Sequence, residues 1–237
     1  MKVECVGSRN ESSHSPSEKR GNRFFSLLLM LSRVCLTSIV FTLLVGCVPP
    51  FSAMQSAKLA GKGRIEVTPM FSTVLASFES TEHVQNEFGL QVAFGLADGV
   101  DLQLRYEFIS FKVEDMSGSA NVIGIGPKIR LIKDMVAVNL PIGFAFGGDI
   151  DDISDTWQFH PTLHFTLSAG SNFELNPSTK MLIPLGGDGD VLLAFNLGLG
   201  MSTDLRKWAI RPEAGFLINP GLDGHYTHFS IGLTIYP

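Results

Sequence analysis

The chain has 237 residues, with 24 Gly, 18 Phe, only 17% charged residues and a mean hydropathy of +0.22, more apolar and more Gly-rich than a typical soluble domain. A net charge of -5, a pI near 5.6 and no cluster of Lys and Arg in the body of the chain argue against a nucleic-acid surface. No stretch after residue 50 reaches the roughly 18 consecutive apolar residues of a membrane helix. High hydropathy without such a helix suits a membrane β-barrel, whose strands show lipid only every second residue.

In chain order, residues 1–22 are polar and aperiodic and read as a disordered leader or an upstream mis-assigned start. Residues 23–46 read as a secretory signal, with Arg33 in the charged region and Leu36 to Val45 as the apolar region, the alternatives being a plain signal cut after Ala53 or an uncut membrane helix over Phe24 to Val45. The sequence Leu44-Val45-Gly46-Cys47 that ends it resembles the lipobox of bacterial lipoproteins. The resemblance implies cleavage before Cys47 and acylation of that residue, with palmitate-type chains inserting into membrane lipid. Val48 is not the aspartate that retains enteric lipoproteins at the inner membrane. Of the three cysteines, Cys5, Cys35 and Cys47, only the last would remain after cleavage, so the mature body has no disulfide or thiol chemistry. Residues 47–61, short, mixed and carrying Pro49 and Pro50, read as a tether to a barrel over 62–237.

From Lys62 onward the pattern has a period of two. Phe88, Leu90, Val92, Phe94 and Leu96 alternate with Gly89, Gln91, Ala93 and Gly95. After a turn at Ala97-Asp98-Gly99, Val100, Leu102, Leu104, Tyr106 and Phe108 alternate with Asp101, Gln103, Arg105 and Glu107. Similar alternation recurs to Ile235, with a weaker stretch around Pro177. The count predicts an all-β fold: a closed antiparallel up-and-down transmembrane barrel of about ten strands. Tight turns are expected at 97–99, 132–134, 169–171 and 203–207. Longer polar loops are expected at 79–85, 114–120, 147–155, 185–190 and 219–227. An even strand count puts both termini on the short-turn side, periplasmic in this architecture, where a lipid on Cys47 in the inner leaflet would reach the barrel. The last strand resembles the closing strand of outer-membrane barrels, which implies recognition by the barrel-assembly machinery, although Tyr236 is penultimate and Pro237 follows.

Orientation decides function. In a membrane barrel the charged rows face a wet lumen, so Arg64, Glu66, Asp101, Arg105, Glu107, Lys128, Arg130, His160, His164, Glu174, Lys180, Arg211 and Glu213 are the expected lumen-lining residues. In a narrow lumen, side chains of both signs pair across the interior and plug it, or leave a restricted route for a small solute. In a soluble lipocalin-like carrier of an apolar ligand, Phe94, Leu104 and Phe144 would face inward instead.

No metal, cofactor or catalytic centre is expected. His160 and His164 stand four residues apart on a strand, roughly 13 Å, too far to share one metal unaided. The acidic loop 149–155 lacks EF-hand spacing, and 186–190 reads as a flexible loop. A rim hydrolase remains as an alternative, built from His225, His228, Ser230, Asp188 and Asp190, and needs a His within hydrogen-bonding reach of Ser230 or a loop carboxylate. The expected role is structural, surface-binding or restricted transport at the bacterial outer membrane.

Overall fold

The computed structural model describes residues 48–237 apart from 79, 114–115, 149, 151–152 and 187–188. The leader, the signal segment and Cys47 lie outside the described residues. From residue 65 on, ten antiparallel strands follow one another and close into a barrel. They are β1 (Ile65–Ser77), β2 (Thr81–Ala97), β3 (Val100–Val113) and β4 (Met116–Ile132). Next come two interrupted strands, β5 (Val136–Asn139 and Ile142–Phe146) and β6 (Gln158–Phe159, Thr162–Phe165 and Leu167–Ser168). The circuit ends with β7 (Phe173–Pro184), β8 (Leu192–Met201), β9 (Trp208–Ile218) and β10 (His225–Ile235). Each strand pairs with the next, and β10 returns to β1 with Phe71 opposite Ile231, so no ladder edge is left open.

The period-two pattern dictates which face looks where. Phe88, Leu90, Phe94, Phe229 and Ile231 are exposed, whereas Glu66, Asp101, Glu107, Lys128, Glu174 and Arg211 are buried. Phe88 is 53% exposed and Lys128 1%, the reverse of a water-soluble protein. Phe94 and Leu104 fall on the outer face and Arg105 and Glu107 on the inner one, which is the orientation a membrane barrel requires and a carrier with an apolar interior cannot have. Aromatic pairs such as Phe71 with Phe88 and Phe195 with Phe216 knit neighbouring strands on the outside.

Two expected long loops are strand instead. β2 starts at Thr81 and β4 at Met116, so the links after β1 and β3 are tight. The residues concerned, among them Thr81, Glu82 and His83, are polar and exposed. With 17 residues, β2 and β4 are longer than the roughly 9–11 a tilted strand needs to span the hydrocarbon, so their ends carry no apolar alternation to read. On the loop side the long connections are those after β5, β7 and β9. On the other side, Asp204 accepts a hydrogen bond from the Arg206 N–H, which holds its carboxyl below the usual carboxylate range.

Pro177, in the weaker stretch, sits in register with Leu197 of β8 and, on the ladder that sets Ser178 opposite His164 and Leu175 opposite Leu167, opposite Phe165 of β6, one residue from the gap at Thr166. Prolines also mark the wall at β5 and β6. Leu140 N–H donates to Pro127 O at 3.0 Å, His160 N–H to Pro141 O at 2.9 Å and Met181 N–H to Pro161 O at 3.0 Å. In each case the proline carbonyl accepts across the seam while its ring nitrogen donates nothing, so the ladder is thinned there.

Candidate functional site

The inward rows are built from small residues as much as charged ones, with Ala93, Ala137, Ala194 and Ala209 fully or almost fully buried. Charged side chains alone do not fill the interior. Residues 48–60, within the stretch 47–61 read as a tether, run through the lumen in an extended path, and all but Pro49, Lys58 and Leu59 are buried. A segment buried without ladder partners must satisfy its backbone groups elsewhere. The lumen side chains do this.

At one end Val48 N–H donates to Gln85 Oε1 at 3.1 Å and Gln85 Nε2 donates back to Val48 O at 2.8 Å. Ser52 O accepts from Arg105 Nη1 at 2.6 Å and from Lys180 Nζ at 2.7 Å. Asn196 Nδ2 donates to Phe51 O at 2.9 Å. Met54 adopts a left-handed φ of 48°, and the N–H groups of Ala53 and Met54 both reach the Glu213 carboxylate at 2.7 Å. Gln55 Nε2 bonds Gln91 and Gln103. Further along, Lys128 Nζ donates to Ser56 O at 2.7 Å and Lys58 O at 3.1 Å, Ala57 N–H donates to Thr166 Oγ1 and Ala60 N–H to Asp101 Oδ2, each at 2.7 Å. Gly61, at φ +88°, then turns the chain toward β1, and Gly63 N–H donates to Gly95 O at 2.8 Å. A Cβ on Gly95 would stand 1.8 Å from Gly61 O, so this close passage demands glycine.

Ion pairs complete the lining. Glu174 takes Lys58 at 2.7 Å and Arg211 at 2.9 Å, and Arg105 meets Glu107 at 2.6 Å. Two of the sequence-predicted positions stand apart from these. Arg64 shares the parity of Glu66 but is exposed where β1 begins, and Arg130 is half-buried beside the turn at Gly99. His160 and His164 are on the inner face, with His160 Nε2 bonded to Gln158 Oε1 at 2.7 Å. Among the described residues no group of three His, Cys, Asp or Glu side chains is placed to hold a metal.

Two lumen regions differ in character. Val48 and Phe51 meet Val74, Ala76, Val84, Leu182, Ala194 and Leu217 in an apolar cluster at the loop-side mouth. Beside the polar stretch of the segment, toward β5 and β6, lies a cavity of about 50 Å³, lined among others by Gln55, Gln103, Arg105, Glu107, Asn139 and His164. Six residues of that lining carry buried atoms with no partner among the described residues: Gln55 Oε1, Gln103 Nε2, Arg105 Nε, Glu107 Oε2, Asn139 Oδ1 and both ring nitrogens of His164. By volume the cavity takes about three or four water molecules.

The hydrolase alternative meets its geometric condition in an unexpected place. His228 is not at the rim but inside the barrel, with Nδ1 2.6 Å from Ser230 Oγ, Nε2 3.0 Å from Asn196 Oδ1 and 3.7 Å from Glu213 Oε1. Phe51 covers the imidazole edge-on at 4.7 Å, both His228 and Ser230 are buried, and Ser230 hydrogen-bonds Ser72 at 2.8 Å. None of these residues lines the cavity. The cluster packs Phe51 in place and offers a substrate no approach.

No protein-family model matches the chain, and no curated protein matches it. Solved structures similar to it include the attachment invasion locus protein Ail of Yersinia pestis, at 12% identity over 74% of this chain and 98% of Ail, with a TM-score of 0.36. An outer membrane channel from Pseudomonas putida F1 is similar at 10% identity over 81% of this chain and 100% of the channel, with a TM-score of 0.41. The translocator domain of the autotransporter NalP from Neisseria meningitidis is similar at 7% identity over 90% of this chain and 97% of that domain, with a TM-score of 0.39. These likenesses are too distant to carry an inference about activity.

Proposed function

We propose that the protein is a bacterial outer-membrane β-barrel lipoprotein with a structural or surface-binding role, its lumen closed by its own residues 48–60. The observation that carries this reading is the match between the luminal charges and the backbone of that segment. Arg105, Lys128 and Lys180 are spent on its carbonyls, and Asp101 and Glu213 on its N–H groups. A wall whose charges are committed in this way has few left to line an open channel. The apolar exterior fits membrane lipid as the surrounding phase, and the terminal strand fits recognition by the barrel-assembly machinery. Acylation of Cys47 supplies the anchor, and replacing that residue with Ser abolishes acyl labelling if the lipobox is used.

The protein's charges act by holding, and no bond-making step is assigned. A restricted passage for a small polar solute is the second reading, favoured by the cavity beside the segment and its unpartnered polar atoms. Planar-bilayer recording on the purified full chain separates the two. A closed barrel gives no steady conductance steps, whereas frequent stable openings of the unaltered protein refute closure by the segment.

A further inference from the structure

The luminal segment has a direction, and three strands record it independently. On β3, Ser52 meets Arg105, Gln55 meets Gln103 and Ala60 meets Asp101. On β2, Val48 meets Gln85, and Ala53 and Gln55 meet Gln91. On β7, Ser52 meets Lys180, and Lys58 meets Glu174. β3 and β7 start at the turn-side mouth and β2 ends there. All three ladders therefore place Val48 at the loop side and Ala60 at the turn side. The apolar cluster around Val48 and Phe51 lies at the same mouth, since Val74, Ala76, Val84, Leu182 and Leu217 are all near the loop ends of their strands.

From the turn mouth the chain continues directly into β1 through Gly61 and Gly63. At about 3.3–3.6 Å per residue, residues 48–60 reach at most ~45 Å, one passage through the barrel. A chain arriving at Val48 from the turn side would need a second passage. The lumen is already occupied, and crossing on the outside would expose unpaired backbone groups to hydrocarbon.

We propose that this is a threaded barrel: Val48 emerges at the loop-side mouth, so an acyl anchor on the adjoining Cys47 belongs to the membrane leaflet that the loops face. That reverses the leaflet expected from the position of β1 alone. The leaflet assignment rests on the outer-membrane lipoprotein reading above; the threading rests only on the contacts of residues 48–60. Assembly then requires β10 to close on β1 around a segment already in place.

Two measurements on the full chain test this separately. In cells, an epitope inserted between Cys47 and Val48 is compared with one in the loop at 219–224 and one in the turn at 202–207, by antibody labelling before and after permeabilisation. Threading predicts that the first epitope labels together with the loop epitope, and labelling together with the turn epitope overturns it. With purified protein, a short bis-maleimide is applied to Val48→Cys/Gln85→Cys and to Val48→Cys/Asp101→Cys, each carrying Cys5→Ser, Cys35→Ser and Cys47→Ser so that no other thiol is present whether or not the signal is cleaved. The proposal predicts a cross-link in the first pair only; a cross-link in the second pair, or in neither, overturns it. If the 48–85 pair cross-links while neither the loop nor the turn epitope is ever reached in intact cells, the outer-membrane reading and the leaflet assignment fail, and the threading stands.

Discussion

The barrel wall has two unlike parts. β1 to β4 and β7 to β10 form long ladders, and their inner rows grip the segment with Gln85, Arg105, Lys128, Glu174, Lys180 and Glu213. β5 and β6 are broken at Pro141, Pro161 and Thr166, and their inner residues Asn139 and His164 face the cavity rather than the segment. From them the segment receives Thr166, which accepts from Ala57 N–H. On the interrupted strands Asn139 Oδ1 and both ring nitrogens of His164 lack a partner among the described residues, whereas Gln103, Arg105 and Glu107 of the continuous β3 each leave one atom unpaired at the cavity while another is bonded. The charged inner side chains sit on the continuous strands and clamp the segment, while the interrupted strands contribute the uncharged Asn139 and His164 as polar lining.

That contrast is sharpest at Glu174, which holds both Lys58 of the segment and Arg211 of the wall. Glu174→Gln leaves Arg211 buried without its counter-charge, and breaking such a pair costs about 3–5 kcal/mol. Urea titration of the protein refolded into lipid vesicles reads this directly. A loss below about 1 kcal/mol, the ceiling for an exposed ion pair, would mean that the pair is hydrated. On the outside, Leu104→Arg should cost about 2–4 kcal/mol if the site lies at the lipid midplane, with near-neutral behaviour in the same titration counting against that depth. Glu213→Gln keeps the shape but exchanges one carboxylate acceptor for an amide donor, facing the N–H groups of Ala53 and Met54. Loss of a charge-assisted bond of this kind is expected to cost about 1.5–3 kcal/mol. It should also raise the frequency of channel openings in bilayers; unchanged closure would show that the apolar cluster at the mouth suffices.

The wall was legible because a half-lipid, half-lumen environment imposes a strict period of two. β1, at Ile65–Ser77, begins within the alternation that starts at Lys62. The strand ends of β2 and β4 were not legible, because beyond the hydrocarbon nothing enforces the alternation. The luminal course of residues 48–60 has no periodicity of its own, since its backbone is held by side chains distant in sequence, such as Glu213 and Lys180. One signal pointed to it. The inward rows are rich in Gly and Ala, as at Gly89, Ala93, Ala137, Gly143, Gly198 and Gly200, and a ten-stranded wall with such small inner residues leaves space that charged side chains alone do not occupy. His228 likewise had the parity of Ser230, which placed it on the inner row.

The smallest effect is expected on the interrupted side. His164 is 1% exposed and neither ring nitrogen has a partner among the described residues. His164→Leu therefore removes no protein hydrogen bond from the wall, unlike Glu213→Gln, and replaces an uncompensated polar ring with an apolar side chain of comparable bulk. Removing a buried polar group that lacks a partner is neutral or favourable, because its desolvation penalty of about 1–3 kcal/mol disappears with it. The stability change should then be less than about 1 kcal/mol in either direction, or a gain. A loss of 1–3 kcal/mol instead would mean that the imidazole is bonded to ordered water in the cavity, which is ample for such bridging. The contrast between the two sides of the wall would then be one of direct against water-mediated pairing. Comparing His164→Leu with Asn139→Leu sharpens this: water shared by the two residues makes their losses non-additive, while independent, dry sites give changes that sum.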